Sequence, residues 1–284
     1  MDPLVLNLDP AFRPIPGSPV VFESFAFAGG EPHIRIAPVA SGTPVAVTTR
    51  IRSFNDLGLL LLAVDALQQM RVRLTTLVLP YFPAARQDRV MVSGEPLSVK
   101  VVSRLINDLK FEQVVIFDPH SEVTAALVDG VRPVPNHRFI EQVVAQLPET
   151  IRLISPDGGA LKKIYSLSKA LGGLPVTEGS KSRDVVSGKL TGFQVYADDL
   201  AGQPCLVVDD ICDGGGTFLG LAEVLKSKGA GDLYLAVSHG IFSRGTADLL
   251  RTFRNVFTTN SFSDLPAQER LVQIPLNESL LFLA

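Results

Sequence analysis

Cysteine is scarce in this chain: there are two in 284 residues, Cys205 and Cys212. Seven positions apart, they form neither a disulfide framework nor a CxxC pair, which excludes a cysteine-built zinc or redox centre. Cys205 is expected as a buried strand thiol and Cys212 as a small loop residue. A surplus of positive charge is missing too. Lys and Arg number 26 against 29 Asp and Glu, a net charge of -3. There is no overall basic surface for nucleic acid, and any anion must be recognised locally. Long apolar runs are also absent. The stretch Leu57–Val64 is stopped by Asp65, far short of the roughly 20 residues that a membrane span needs. The opening "MDPLVLNLDP" has an acid and no basic n-region, so it does not read as a signal peptide. A cytoplasmic protein with no membrane or nucleic-acid partner is expected.

What is present is a well-buried chain. Apolar residues make up 46% and charged residues 19%, with 23 glycines and 20 prolines, and the length suits two domains of roughly 100–200 residues each. Short aliphatic runs recur, each followed by a helix-length segment. "TPVAVTT" leads into "DLGLLLLAVDALQQMR", "LTTLVLPYF" into "PLSVKVVSRLINDL", "RLISPD" into "ALKKIYSLSKAL" and "CLVVDD" into "GTFLGLAEVLKSKG", while "QVVIFD" and "LYLAVSHG" are further runs. Continuous apolar strands alternating with amphipathic helices predict an α/β protein of mainly parallel sheets covered by helices. A boundary near Asn136–Arg138 gives an N-terminal domain of residues 1–137 and a C-terminal domain of residues 138–284.

Ligands of such sheets gather beyond the carboxyl ends of the strands. Four of those ends carry charge, histidine or glycine: Arg86-Gln87-Asp88-Arg89, Asp118-Pro119-His120-Ser121, Ser155-Pro156-Asp157-Gly158-Gly159, and Asp209-Asp210 with the glycines after them. The coincidence favours a polyanionic ligand with metal ions. In "DDICDGGGT", three glycines between a strand and a helix let backbone N–H groups turn inward as a phosphate nest, with Thr217 as a further donor and a helix cap. Asp209 and Asp210 suit a metal pair, a solvated acidic turn, or the vicinal hydroxyls of a ribose. Two other readings fail. "GGGTFLG" has acids immediately before it that would repel a dinucleotide pyrophosphate, and "PVTEGSKS" has Pro175 and Ser180 where a P-loop needs glycine.

"DDICDGGGT" resembles the phosphoribosyl-binding loop of type I phosphoribosyltransferases. With "LPYFPAARQDR", "FDPHSE", "LISPDGGALKK" and "AVSHGIFS" in that order, the chain is similar to the ribose-phosphate pyrophosphokinases from about Phe25 to the "TTNSF" segment. The resemblance implies two phosphoribosyltransferase-like domains and transfer of the β,γ-diphosphoryl group of MgATP to the anomeric hydroxyl of ribose 5-phosphate. By the same resemblance Arg86, Gln87 and Asp88 hold ATP, and Phe27 with Glu31 lie near adenine, from a neighbouring subunit. His120 stands beside the ATP phosphates and, with Asp157, belongs to the Mg²⁺ region. Asp209 and Asp210 take the ribose hydroxyls, and Asp213, Gly214, Gly215, Gly216 and Thr217 wrap the 5-phosphate. Lys181 and Arg183 are the basic pair of the catalytic loop. A homo-oligomer, dimer or hexamer, is implied in the same way.

The chain also departs from the family pattern. Gly214 stands where the family has threonine, which removes a hydroxyl donor and is expected to free space around the 5-phosphate. Gly29 replaces an acid in the adenine segment, and Pro119 replaces a leucine in the histidine segment. Three readings stay open on these residues. The acceptor is ribose 5-phosphate; or it is a larger 5-substituted ribose such as ADP-ribose, giving ADP-ribose pyrophosphate; or the chain is a non-catalytic regulatory relative that binds synthetases.

Overall fold

The computed structural model describes residues 3–183 and 190–282. The chain forms two compact units, one running to Pro135 and also taking in the segment from Pro275, the other spanning Asn136–Ile274. The final segment, grouped with the C-terminal half on sequence, thus packs with the first unit.

The first unit contains β1 (Leu4–Asn7), β2 (Ser18–Pro19), β3 (Phe22–Ala26), β4 (Pro32–Ile36), β5 (Pro44–Thr48), α1 (Phe54–Gln69), β6 (Arg73–Val78), α2 (Ser98–Asp108), β7 (Gln113–Phe117), α3 (Glu122–Leu127) and β8 (Val131–Val134). Six strands make one parallel sheet in the order β2-β1-β5-β6-β7-β8, and β3 and β4 form a separate antiparallel hairpin. The central strands are buried almost end to end, as strands covered on both faces must be. Helix α1 begins with a reciprocal cap: Asp56 N–H donates to Ser53 Oγ at 3.3 Å and Ser53 N–H donates to Asp56 Oδ2 at 2.8 Å, satisfying two orphan amides. It then buries Leu57, Leu60, Ala63, Val64 and Leu67, one face at helical spacing. Arg50, just past β5, is buried but serves the fold: it pairs with Asp9 at 2.7 Å and its guanidinium lies 5.1 Å from the centre of the Phe12 ring.

The second unit contains α4 (His137–Val144), β9 (Arg152–Ser155), α5 (Leu161–Ala170), β10 (Val176–Arg183), β11 (Leu190–Val195), β12 (Cys205–Cys212), α6 (Gly216–Ser227), β13 (Leu233–Gly240), α7 (Ala247–Thr252), β14 (Asn255–Thr259) and β15 (Leu271–Ile274). Its seven-stranded sheet runs β11-β10-β9-β12-β13-β14-β15. The pairings are parallel except for the antiparallel β10–β11 pair. Every residue of β13 is buried, and β12 beside it carries Asp209 and Asp210. The short helix α8 (Glu278–Leu281) belongs to the first unit. Among the described residues no helix is long and apolar enough to cross a membrane.

Candidate active site

In the first unit the loops after β6 and β7 bring together residues far apart in sequence. Ala84 adopts φ 62 and Gln87 N–H closes a turn onto Ala84 O at 3.0 Å. The next residue, Asp88, is largely buried and bonded to Arg89 at 3.2 Å. Burial pushes its carboxyl upward, but the nearby Ser121 side chain, Arg89 and the charge of His120 outweigh it and hold Asp88 below the ordinary value. Asp88 and His120 therefore share one electrostatic neighbourhood. At the end of β7, Asp118 is buried with φ 39, a conformation that strains a residue with a Cβ. Its N–H is held by Val134 O at 2.7 Å. This turn presents the exposed His120 at the carboxyl end of the sheet.

Phe27 and Glu31 lie at the tip of the β3–β4 hairpin, where Phe27 N–H donates to Glu31 O at 2.9 Å. The Phe27 ring is exposed and clusters with Phe25, 5.0 Å away between ring centres, and with His33 at 5.6 Å. A Cβ on Gly29 would stand 2.5 Å from Glu31 Oε2, so the folded-back Glu31 side chain occupies the space where the acid of the family pattern would begin.

In the second unit β12 does not end before its acids. The strand continues through Asp209 and Asp210 to Cys212, paired with β13 at Ile211↔His239 and Cys212↔Gly240. Cys212 is thus the buried last residue of a strand and not a loop residue. Asp210 N–H donates to Asp209 Oδ1 at 2.9 Å. Burial, then the adjacent Asp210, then Asp157 drive the Asp209 carboxyl well above the ordinary aspartate value. Asp157 itself caps the short turn Gly158–Ala160, accepting from Gly159 N–H at 2.9 Å and Ala160 N–H at 3.1 Å. Asp209 is therefore repelled by two further expected site acids, Asp157 and Asp210.

The glycine loop follows. Gly215, at φ 78, is the cap of α6, a left-handed position suited to glycine. The cap lacks a side-chain bond, so Thr217, expected as the cap, is instead the second helical residue. The amides that open the helix have no intrahelical acceptor, and the helix end is electropositive. The space that Gly214 is expected to open is bordered by Arg244: a Cβ on Gly214 would stand 3.3 Å from Arg244 Cδ. Ser243 ends the quoted segment "AVSHGIFS" but has no role assigned from sequence, and Arg244 just beyond it goes unnoticed because nothing in "RGT" marks it; Ser243 Oγ donates to Asp213 Oδ1 at 2.5 Å.

The backbone of Lys181 and Arg183 closes β10, opposite Phe193 and Leu190 of β11; their side chains lie outside the described residues. Among the described residues no group of three or more His, Cys, Asp or Glu side chains is close enough to hold a metal ion. Within its described residues the chain offers no closed metal cage. Its carboxylates suit a hard cation that keeps most of its ligands from water and substrate phosphates, as Mg²⁺ does.

Comparisons with known proteins agree with this architecture. Residues 19–109 match the model of the N-terminal domain of ribose phosphate pyrophosphokinase, and residues 185–270 match the phosphoribosyl synthetase-associated domain. The ribose-phosphate pyrophosphokinase of Mycobacterium bovis is 30% identical over 250 residues, covering 83% of this chain and 74% of the relative. That of Thermococcus kodakarensis is 32% identical over 224 residues, 78% of each. The crystal structure of phosphoribosylpyrophosphate synthetase from Mycobacterium smegmatis superposes with a TM-score of 0.81 at 24% identity, covering 97% of this chain and 95% of the other. The likeness shows a shared fold, including the two phosphoribosyltransferase-like parts expected from the sequence.

Proposed function

Because the chain belongs to the ribose-phosphate pyrophosphokinase family, we infer that it makes phosphoribosyl pyrophosphate from ATP and ribose 5-phosphate. The anomeric oxygen of the sugar attacks the β-phosphorus of ATP. The bond from that phosphorus to the α,β-bridging oxygen breaks, AMP leaves, and the hydroxyl proton passes to solvent. Such a transfer asks little covalent work of the protein; positioning and charge stabilisation dominate.

The observation that carries this reading is the acid pair Asp209–Asp210 leading straight into the Asp213–Thr217 loop. Carboxylates accept from the ring hydroxyls, and the loop amides donate to the 5-phosphate. Arg86, Gln87 and Asp88 hold ATP with His120 beside its phosphates. The exposed Phe27 ring and Glu31 face adenine, contributed by a second copy in a homo-oligomer, dimer or hexamer. Lys181 and Arg183 clamp the diphosphate as it moves. Mg²⁺, when bound, would neutralise the phosphate oxygens on which charge develops; in the second unit Asp157 is the residue we assign to it.

The relatives named above are ribose-phosphate enzymes, which lends the ADP-ribose alternative no support. The test is AMP release by purified protein with MgATP and either acceptor. AMP is expected only with ribose 5-phosphate. Release with ADP-ribose alone would overturn the acceptor, and silence with both would return the chain to the non-catalytic reading.

A further inference from the structure

Arg244 has no place in the roles above, yet it lies against the centre of the phosphate loop. An ideal Cβ on Gly214 would stand 3.3 Å from Arg244 Cδ, 3.4 Å from Nε and 3.7 Å from Cγ. The aliphatic stem therefore lies beside this glycine, and a Cβ at position 214 would press it aside by a few tenths of an ångström. The glycine and the arginine are thus close neighbours, with little spare room between them.

Position 244 is fixed by the main chain. Past β13, Ile241 N–H and Phe242 N–H donate to Cys212 O at 2.9 and 3.1 Å, and Ser243 N–H donates to Asp213 O at 3.1 Å. The Ser243 hydroxyl adds its bond to Asp213 Oδ1 at 2.5 Å. Phe242 takes φ 48, and Gly245, at φ 75, closes a turn onto Phe242 O at 2.8 Å. Arg244 thus sits between a residue stitched to the loop and a tight turn, carried with the loop as one piece. It is exposed and makes none of the ion pairs found among the described residues.

A guanidinium beside a glycine loop supplies what glycines cannot. Backbone amides give single neutral donors; arginine adds a full charge and a planar fork matched to two phosphate oxygens. We propose that Arg244 is a substrate-binding and specificity-determining residue of this loop, its guanidinium donating to the phosphate on C5 of the ribose in place of a side-chain donor at 214. This rests on the reading of the loop as the 5-phosphate cradle.

The test is a set of four variants, R244Q, R244K, G214T and R244Q/G214T, assayed with MgATP and titrated calorimetrically with ribose 5-phosphate. Loss of one charge-assisted hydrogen bond should raise KM and Kd for ribose 5-phosphate about 10- to 100-fold in R244Q, with KM for ATP within about twofold and kcat lowered less than KM is raised. R244K should recover part of the loss. G214T should weaken sugar binding in the parent background by pushing the arginine aside, and cost nothing further in R244Q, where no guanidinium is left to displace. If the parent protein binds ribose 5-phosphate and R244Q binds it equally well, the assignment of Arg244 falls and the loop reading stands. If the parent protein shows neither heat nor turnover with ribose 5-phosphate, the loop reading itself falls.

Discussion

Asp210 donates its backbone N–H to the Oδ1 of Asp209 at 2.9 Å, so the first acid of the pair proposed to bind the sugar accepts from the main chain of the second while the two carboxylates repel. Burial and that repulsion raise the Asp209 carboxyl well above 3.8. A carboxyl with a raised folded value binds its proton more tightly when folded. Its contribution to stability is complete below the ordinary value and lost as pH climbs through the raised one. At neutral pH the ionised group therefore costs stability. Asp209→Asn, which keeps the acceptor oxygen, should raise the Tm of the ligand-free protein by roughly 2–5 °C at pH 7.5. The gain should shrink toward pH 4, while ribose 5-phosphate binding is lost. Differential scanning calorimetry across that range checks it; a Tm that falls at every pH would refute the assigned strain.

Both thiols are closed to reagent. Burial pushes Cys205 up to about 11 and Cys212 to about 12, from 9.0. The thiolate is the reactive form, so at pH 8 its population drops roughly 100-fold and 1,000-fold from these shifts alone. A disulfide reagent should label neither cysteine in the native protein and both in guanidinium chloride. Fast labelling of either in native buffer would contradict the buried strand.

Helix α6 approaches β11 through Gly220, where an ideal Cβ would stand 2.2 Å from Phe193 Cε2. Phe193 is opposite Lys181 in the β10–β11 pair. Gly220→Ala should cost about 1–3 kcal/mol by overpacking and lower kcat together with stability, since pushing Phe193 moves the hairpin that carries Lys181. Denaturant titration and steady-state kinetics measure the two losses; a stable variant with unchanged kcat would disprove the link.

Lys181→Ala should reduce kcat by 100-fold or more, on the order of an electrostatic clamp acting on developing charge, while the Kd for ATP changes by less than about fivefold. Equal losses in both would assign Lys181 to ground-state binding instead.

Much of this molecule is legible in the chain because its sheets are buried on both faces. Runs such as "VVIF" in β7 and "YLAV" in β13 need no alternation to be read as strands. The β3–β4 hairpin was not legible: four of the five residues of β3 are exposed, so its aromatics carry no sign of a core. Nor did the sequence show where β12 ends. Two adjacent aspartates usually mark a turn, but pairing with β13 carries the strand through them to Cys212. The glycine loop was readable from its residues, whereas Arg244 was not. Its importance comes from contact with Gly214, thirty positions earlier, and that proximity is set by backbone hydrogen bonds between two loops.

The segment from Pro275 belongs with the first unit: Arg132 lies over the Phe282 ring at 5.1 Å and donates to the Phe282 carbonyl at 3.0 Å. The polypeptide therefore visits its leading half twice, and a single cut cannot part the two halves cleanly. Any attempt to express them separately must graft the tail onto the front piece, and trimming the tail from the intact chain would injure the half that was made first.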